Sequence, residues 1–309
     1  MANFPPSKMK GVLPAMLSVF GEDERVDVAR TENLVEFLLA RGVDGLYLTG
    51  STGEAFLLTH DERALIVKTV VDKVAGRVPV IVHVGDIGTK KSIMLATQAE
   101  QAGADAVSAV PPFYFPFDDE AIVRYYRDLA GATDLPFFIY NIPLAKMMGA
   151  ELIFRLAELP NVAGMKYTGM NHAEMGHIKR TLGDDFVMFS GADEMACSGL
   201  SVGADGIIGS FYNVMPETFI RIYQNMRAGQ GVEAARLQAI ATDVILAVAK
   251  YNLQPVLRNI LRWQGCEAGV PCRPFRGYGE DELAPLKAAL RTLRDRHGVT
   301  DEVEFLKHL

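Results

Sequence analysis

Tryptophan occurs once and cysteine three times among the 309 residues. The cysteines, Cys197, Cys266 and Cys272, form no CxxC or comparable metal-ligand spacing. So sparse and odd a set fits a reducing compartment better than a disulfide framework. Long hydrophobic runs are missing too. The opening "MANFPPSKMKGVLPAMLSVF" has a short apolar part that proline interrupts and acidic residues follow. Neither a signal peptide nor a membrane span is expected from it, and a cytoplasmic protein is. There is no excess of positive charge: 31 Lys and Arg face 38 Asp and Glu, with both signs interspersed and a net charge of −7. Nucleic acid and anionic membrane both need a basic patch, so neither is expected as a partner. No GxGxxG follows the first apolar run, so the usual dinucleotide fingerprint is absent.

What is present is a regular alternation. The runs "VLPAMLSVF", "GLYLTG", "VPVIVHVG", "DAVSAV", "PFFIYN", "VAGMK", "FVMFS" and "DGIIGS" read as strands beginning near Val12, Gly45, Val78, Asp105, Pro136, Val162, Phe186 and Asp205. Between them lie amphipathic stretches such as "VARTENLVEFLLARG", in which Leu34, Phe37, Leu38 and Arg41 fall close together at helical spacing. Continuous apolar strands separated by helices imply a parallel sheet covered on its outside. Eight such units in roughly 230 residues fit a (β/α)8 TIM barrel, with a doubly wound sheet as the alternative.

A weak repeat supports this reading. Gly42-Val43-Asp44, Gly103-Ala104-Asp105 and Gly203-Ala204-Asp205 each precede a strand. The glycine is expected to close the previous helix in a left-handed cap, at the stability face of the barrel. The pattern breaks at "AGQG" after Arg227, and helices without strands follow. The expected organisation is a barrel over 1–228 and a C-terminal helical region over 229–309 packed on it.

In such a barrel the strand C-termini share one rim, which carries the active site. On that rim fall "TGSTGEAF", "YNIP", Lys166 at the end of the sixth strand, "SGADE" and "GSFYN". Lys166 ends an apolar run. Burial disfavours an ammonium and frees a nucleophilic amine, which can form a Schiff base with a ketone. Tyr140, at the neighbouring strand end, either fills the barrel mouth or relays protons. Gly50 to Glu54 offers backbone amides and the hydroxyls of Ser51 and Thr52 without a cation, which suits a carboxylate better than a phosphate. Glu54 reads as a cap of the local helix. Asp193 and Glu194 are either carboxylates at a helix N-terminus or acceptors for the hydroxyls of a polyol. His172 and His177, the only close histidine pair, diverge on a helix and read as surface residues, so no metal is expected.

Together these residues resemble the pyruvate-dependent class I aldolase family of dihydrodipicolinate synthase and N-acetylneuraminate lyase. The resemblance runs from about Lys10 to at least Pro274, with "GSTGEAF", "YNIP", "GMKYTG" and "GADGIIGSFYN" in order. It implies a (β/α)8 barrel with a C-terminal helical extension, assembled as a homotetramer of paired dimers. By the same resemblance Lys166 is the Schiff-base lysine, Tyr140 the proton relay, and Ser51 and Thr52 the hydroxyls near the keto acid. Tyr114 in "PPFYFPF" matches a tyrosine contributed by a neighbouring subunit, although interface packing would also explain it. The loops lean toward the lyase branch, in which Thr168, Gly191, Asp193, Glu194 and Ser210 would face the sugar chain. Dihydrodipicolinate synthases typically carry an arginine two residues past the proline of "YNIP"; here Ala145 stands there, and Lys146 is not a match. Tyr167 and Ala192 depart from residues seen in some lyases and leave the acceptor open. The expected reaction is reversible cleavage of N-acetylneuraminate to pyruvate and N-acetylmannosamine. A lysine iminium is itself the electron sink, so no cofactor is expected. The rivals are semialdehyde condensation, cleavage of a 2-keto-3-deoxy sugar acid, and a silent barrel that only binds a keto acid.

Overall fold

The computed structural model of the chain describes residues 4–299 and 301–309. Eight strands pair in parallel: β1 (Gly11–Pro14), β2 (Leu46–Leu48), β3 (Val80–His83), β4 (Ala106–Ala109), β5 (Phe137–Asn141), β6 (Val162–Tyr167), β7 (Val187–Ser190) and β8 (Gly206–Gly209). Their order is β1-β8-β7-β6-β5-β4-β3-β2. The two ends of that series meet where Ala15 bridges Tyr47 in parallel and the Met16 N–H donates to Tyr47 O at 2.9 Å. The sheet therefore closes into a (β/α)8 barrel. Every expected run became a strand, each starting within two residues of its expected position.

Helices α1 (Val28–Leu39), α2 (His60–Val74), α3 (Thr89–Gln101), α4 (Asp119–Ala130), α5 (Ala150–Ala157), α6 (His172–Leu182), α7 (Ala196–Ser201) and α8 (Pro216–Arg227) alternate with the strands. Local signals set their starts. The Asp27 carboxylate accepts from Arg30 N–H at 2.9 Å and opens α1, while Thr59 and Glu62 form a reciprocal capping box on α2. On α1 the apolar stripe buries Leu34, Val35 and Leu38. It ends with the Arg41 guanidinium 3.4 Å above the Phe37 ring.

The repeated Gly-X-Asp turns do more than reverse the chain. Gly42, Gly103 and Gly203 have φ of +79°, +87° and +108°, as left-handed caps require. Each aspartate then reaches sideways to the strand before it. Asp44 accepts from Val12 N–H at 2.8 Å, Asp105 from Val80 N–H at 2.9 Å, and Asp205 from Met188 N–H at 2.9 Å. Asp205 also binds Lys179 at 2.8 Å and Lys10 at 3.0 Å. Burial alone would push its carboxyl up; Lys179, the Met188 N–H and Lys10 outweigh that and hold it below its usual range.

Past the barrel, α9 (Gly231–Val248), α10 (Leu253–Trp263) and α11 (Glu280–His297) follow with no strand between them. Leu237, Val244 and Leu257 share one hydrophobic core with Leu200 and Phe219 of α7 and α8.

Removing the base ties destabilises the barrel by amounts set by what each leaves behind. Asp205→Ala strands the buried Lys179 ammonium and lowers unfolding free energy by about 3–5 kcal/mol. Asp44→Ala, nearer solvent, loses about 1 kcal/mol. Urea unfolding of the two variants measures the difference.

Candidate active site

The C-terminal ends of β5 and β6 are in register, with Tyr140 opposite Lys166. Successive side chains on a strand alternate in direction. Lys166 points into the barrel and is 4% exposed. Its Nζ donates to the Tyr140 hydroxyl at 3.2 Å and lies 4.3 Å and 4.7 Å from the ring centroids of Tyr140 and Tyr47. Tyr167 turns the other way and donates to Glu174 Oε2 at 3.0 Å, so it does not face the barrel mouth. His172 is not the surface residue expected. It is buried at the start of α6, with Nδ1 2.8 Å from Ser198 Oγ, because α7 packs over it; His177 is exposed.

Two residues that sequence reasoning passed over hold the tyrosine. The Tyr140 ring meets Tyr47 edge-on at 5.9 Å and His83 at 5.8 Å. Tyr47 donates to Ser108 Oγ at 3.2 Å, and burial pushes its phenol well above the ordinary range. Both were findable as every-second residues in "GLYLTG" and "VIVHVG".

Ser51 and Thr52 lie in the turn after β2. The Thr52 and Ser210 hydroxyls are 2.6 Å apart, joining that turn to the end of β8. Ser18 Oγ donates to Gly53 O at 2.6 Å. Asn213 braces the same corner, donating to Ala15 O and Ser210 O at 2.7 and 2.8 Å. Glu54 does not cap the local helix. Its buried carboxylate pairs with the buried Arg258 guanidinium of α10 and accepts from Cys272 N–H at 2.7 Å. The signal was a carboxylate inside an otherwise uncharged turn, but its partner lies too far along the chain for local pattern reading.

Two hollows open among the loops at this rim. One, of about 300 Å³, is mostly apolar and is lined by Ser51, Val110, Ile142 and Ala145. Lys146 does not serve it, because its ammonium is bound to Asp119 at 3.1 Å. The other, of about 200 Å³, gathers Thr168, Gly191, Asp193, Glu194 and Ser210, with Ala192 in its wall. A Cβ on Gly191 would lie 2.0 Å from Thr168 Oγ1 and 3.0 Å from Lys166 Cε, so only glycine lets both side chains converge there. Thr168 Oγ1 is buried and has no hydrogen-bond partner among the described residues. Asp193 is buried and accepts from Phe211 N–H at 2.8 Å, whereas Glu194 is exposed. Burial pushes the Asp193 carboxyl up to about 7, against the pull of the Phe211 N–H and Lys166. Tyr114 stands apart from this cluster, 83% exposed on the β4–α4 loop with φ +78°. Among the described residues no group of three His, Cys, Asp or Glu side chains could hold a metal ion, and no helix is long and apolar enough to cross a membrane.

Two outcomes follow from these buried charges. The folded Asp193 value lies above the unfolded carboxylate value, so the protonated group contributes stability below about pH 4. That contribution is lost as pH rises toward about 7. Asp193→Asn, which cannot ionise, therefore gains Tm relative to the parent as pH is raised from 5 to 8. Glu54→Gln leaves the Arg258 charge buried and unpaired and destabilises by about 3–5 kcal/mol. The double variant Glu54→Gln/Arg258→Met loses less than the sum of the single variants, as chemical denaturation will measure.

Residues 8–293 match the dihydrodipicolinate synthetase family. The chain is 37% identical to the N-acetylneuraminate lyase of Rhizobium meliloti over 92% of its own length and 95% of that protein's. It is also 37% identical to the N-acetylneuraminate lyase of Salmonella typhimurium, covering 93% and 98%. Among solved structures, the wild-type sialic acid aldolase of Ruminococcus gnavus superposes with a TM-score of 0.89 at 30% identity, over 93% of this chain and 98% of that one. A barrel with a buried lysine against a tyrosine hydroxyl, and relatives matched nearly end to end, give one conclusion: the chain belongs to the dihydrodipicolinate synthetase family.

Proposed function

We propose that this protein is a Schiff-base aldolase that reversibly cleaves N-acetylneuraminate to pyruvate and N-acetylmannosamine. The observation that carries the reading is the Lys166 amine held 3.2 Å from the Tyr140 hydroxyl beside a hollow of hydroxyls and carboxylates. The names of the relatives, N-acetylneuraminate lyases and a sialic acid aldolase, support the choice of substrate.

The open-chain keto acid enters with its carboxylate toward the Ser51–Thr52 turn. Lys166 Nζ attacks the C2 carbonyl; the carbinolamine loses water and leaves an iminium. Tyr140 takes the proton of the C4 hydroxyl and hands its own phenolic proton on through the Ser51 hydroxyl as the C3–C4 bond breaks, and the bonding pair moves into the iminium to give an enamine. The aldehyde leaves. The enamine carbon is reprotonated, and water releases pyruvate and regenerates the amine. The polyol chain of the substrate lies along Thr168, Gly191, Asp193, Glu194 and Ser210. The lysine is the electron sink, so the reaction needs no cofactor. Tyr114 is supplied to a neighbouring subunit's site within a homotetramer, a role in keeping with its exposure. The apolar Ala145 and the occupied Lys146 disfavour a semialdehyde carboxylate as acceptor, which would want a bidentate arginine.

Incubation with pyruvate and borohydride fixes a reduced adduct on Lys166, located by peptide mass analysis. Lys166→Ala abolishes the adduct and turnover. Tyr140→Phe keeps the adduct and lowers kcat by about 10²–10⁴. Absence of an adduct at Lys166 would sink the reading. An adduct with brisk condensation of pyruvate and aspartate semialdehyde, but no sialic acid cleavage, moves it to the synthase branch.

A further inference from the structure

His83 ends β3 inside the barrel, and both its ring nitrogens are engaged. Thr49 O, 3.0 Å from Nδ1, can only accept, so Nδ1 carries the proton. The lone pair of Nε2 then accepts from Val110 N–H at 3.3 Å. One imidazole thus ties together the ends of β2, β3 and β4. A second proton would break the Val110 bond. Burial, with the Arg63 and Lys166 charges, holds the ring well below the ordinary histidine range.

The tie to Thr49 is reciprocal, since Thr49 Oγ1 donates to His83 O at 2.8 Å. The same carbonyl accepts from Arg63 Nη2 at 2.6 Å. Thr49 needs such a clamp, because its φ of +50° is strained for a β-branched residue. From Thr49 the chain passes directly into Gly50, Ser51 and Thr52. The imidazole, meanwhile, meets the Tyr140 ring in a T-shaped contact at an interplanar angle of 88°.

We propose that His83, as the Nδ1–H tautomer, is a positioning residue with two separable effects. Its ring sets the Tyr140 hydroxyl against Lys166, and its Nδ1–H bond holds the Thr49 turn that aims Ser51 and Thr52 at the keto acid. The proposal rests on the aldolase reading and on Tyr140 as its proton relay.

Two substitutions split the effects. His83→Phe keeps a ring beside Tyr140 and loses both hydrogen bonds. It raises KM for the keto acid about tenfold, the worth of about one hydrogen bond, with the smaller change in kcat. His83→Asn places an amide N–H where Nδ1–H stands and removes the ring. It keeps KM near the parent value and lowers kcat by up to about 10²-fold, as expected of a reacting group displaced by about 1 Å. The deciding measurement is a double-mutant cycle on kcat with Tyr140→Phe. In that background His83→Asn produces less than about a twofold further loss, because the group it positions is already gone. An equal loss in both backgrounds overturns the proposal, as does a parental kcat in His83→Asn. A parental KM in a folded His83→Phe overturns the turn-holding half. If His83→Phe does not fold, the His83→Asn cycle still decides. Failure of the underlying reading has a different signature: Tyr140→Phe turns over normally, or no pyruvate adduct forms on Lys166.

Discussion

A parallel strand sends every second side chain to the same side, and a closed ring of eight such strands sends them all to one axis. In this barrel that constraint decides what the mouth can contain. Lys166 and Thr168 face inward and Tyr167 between them faces α6, while Tyr140 comes from the matching level of β5. A slip of one residue in β6 would bury the amine under the helices and put Tyr167 in the mouth. The apolar residues inside the barrel, such as Phe138, Phe189 and Ile208, are the inward sets of the same strands. Core and site are therefore one pattern, differing only in height.

The two ends of the barrel use polar groups differently. At the base, carboxylates satisfy strand N–H groups that would otherwise lack partners, through Asp44, Asp105 and Asp205. At the rim, side chains tie loops and strand ends together, as in the part-buried Thr52–Ser210 pair and the buried Thr49–His83 exchange. A buried group with satisfied partners has one low-energy orientation, and a reacting constellation needs that. The Lys166 amine, with a phenol and two aromatic faces around it, is the point on which these restraints converge.

Much of this was legible in the sequence because the signals are local. The apolar period located all eight strands, and the Gly-X-Asp echo located three basal turns. The strand-end rule then brought Lys166, Tyr140, Ser51, Thr52, Asp193 and Glu194 to one rim, and the family resemblance added Thr168, Gly191 and Ser210. What escaped was decided by partners distant in sequence. Glu54 looked like a cap because its own neighbours permit that, and only Arg258 reveals it as half of a buried pair. His172 looked solvent-exposed on its own helix, and the cover comes from α7. His83 carries no motif at all. Its importance lies in Thr49, Val110 and Tyr140, which three different strands bring to it.

The pairing of Glu54 with Arg258 also spans 204 positions of chain. A polypeptide emerges from its N-terminus, and domains fold as their pieces become available. Until α10 exists, Glu54 has no cation to neutralise it and no reason to turn inward, and the segment after β2 lacks its brace. Strands bearing the amine and its tyrosine are made well before that moment. The turn that carries Ser51 and Thr52 gains this brace only when the C-terminal helices dock. Those helices thus act in time as well as in space: the turn after β2 stays unbraced until α10 has been made.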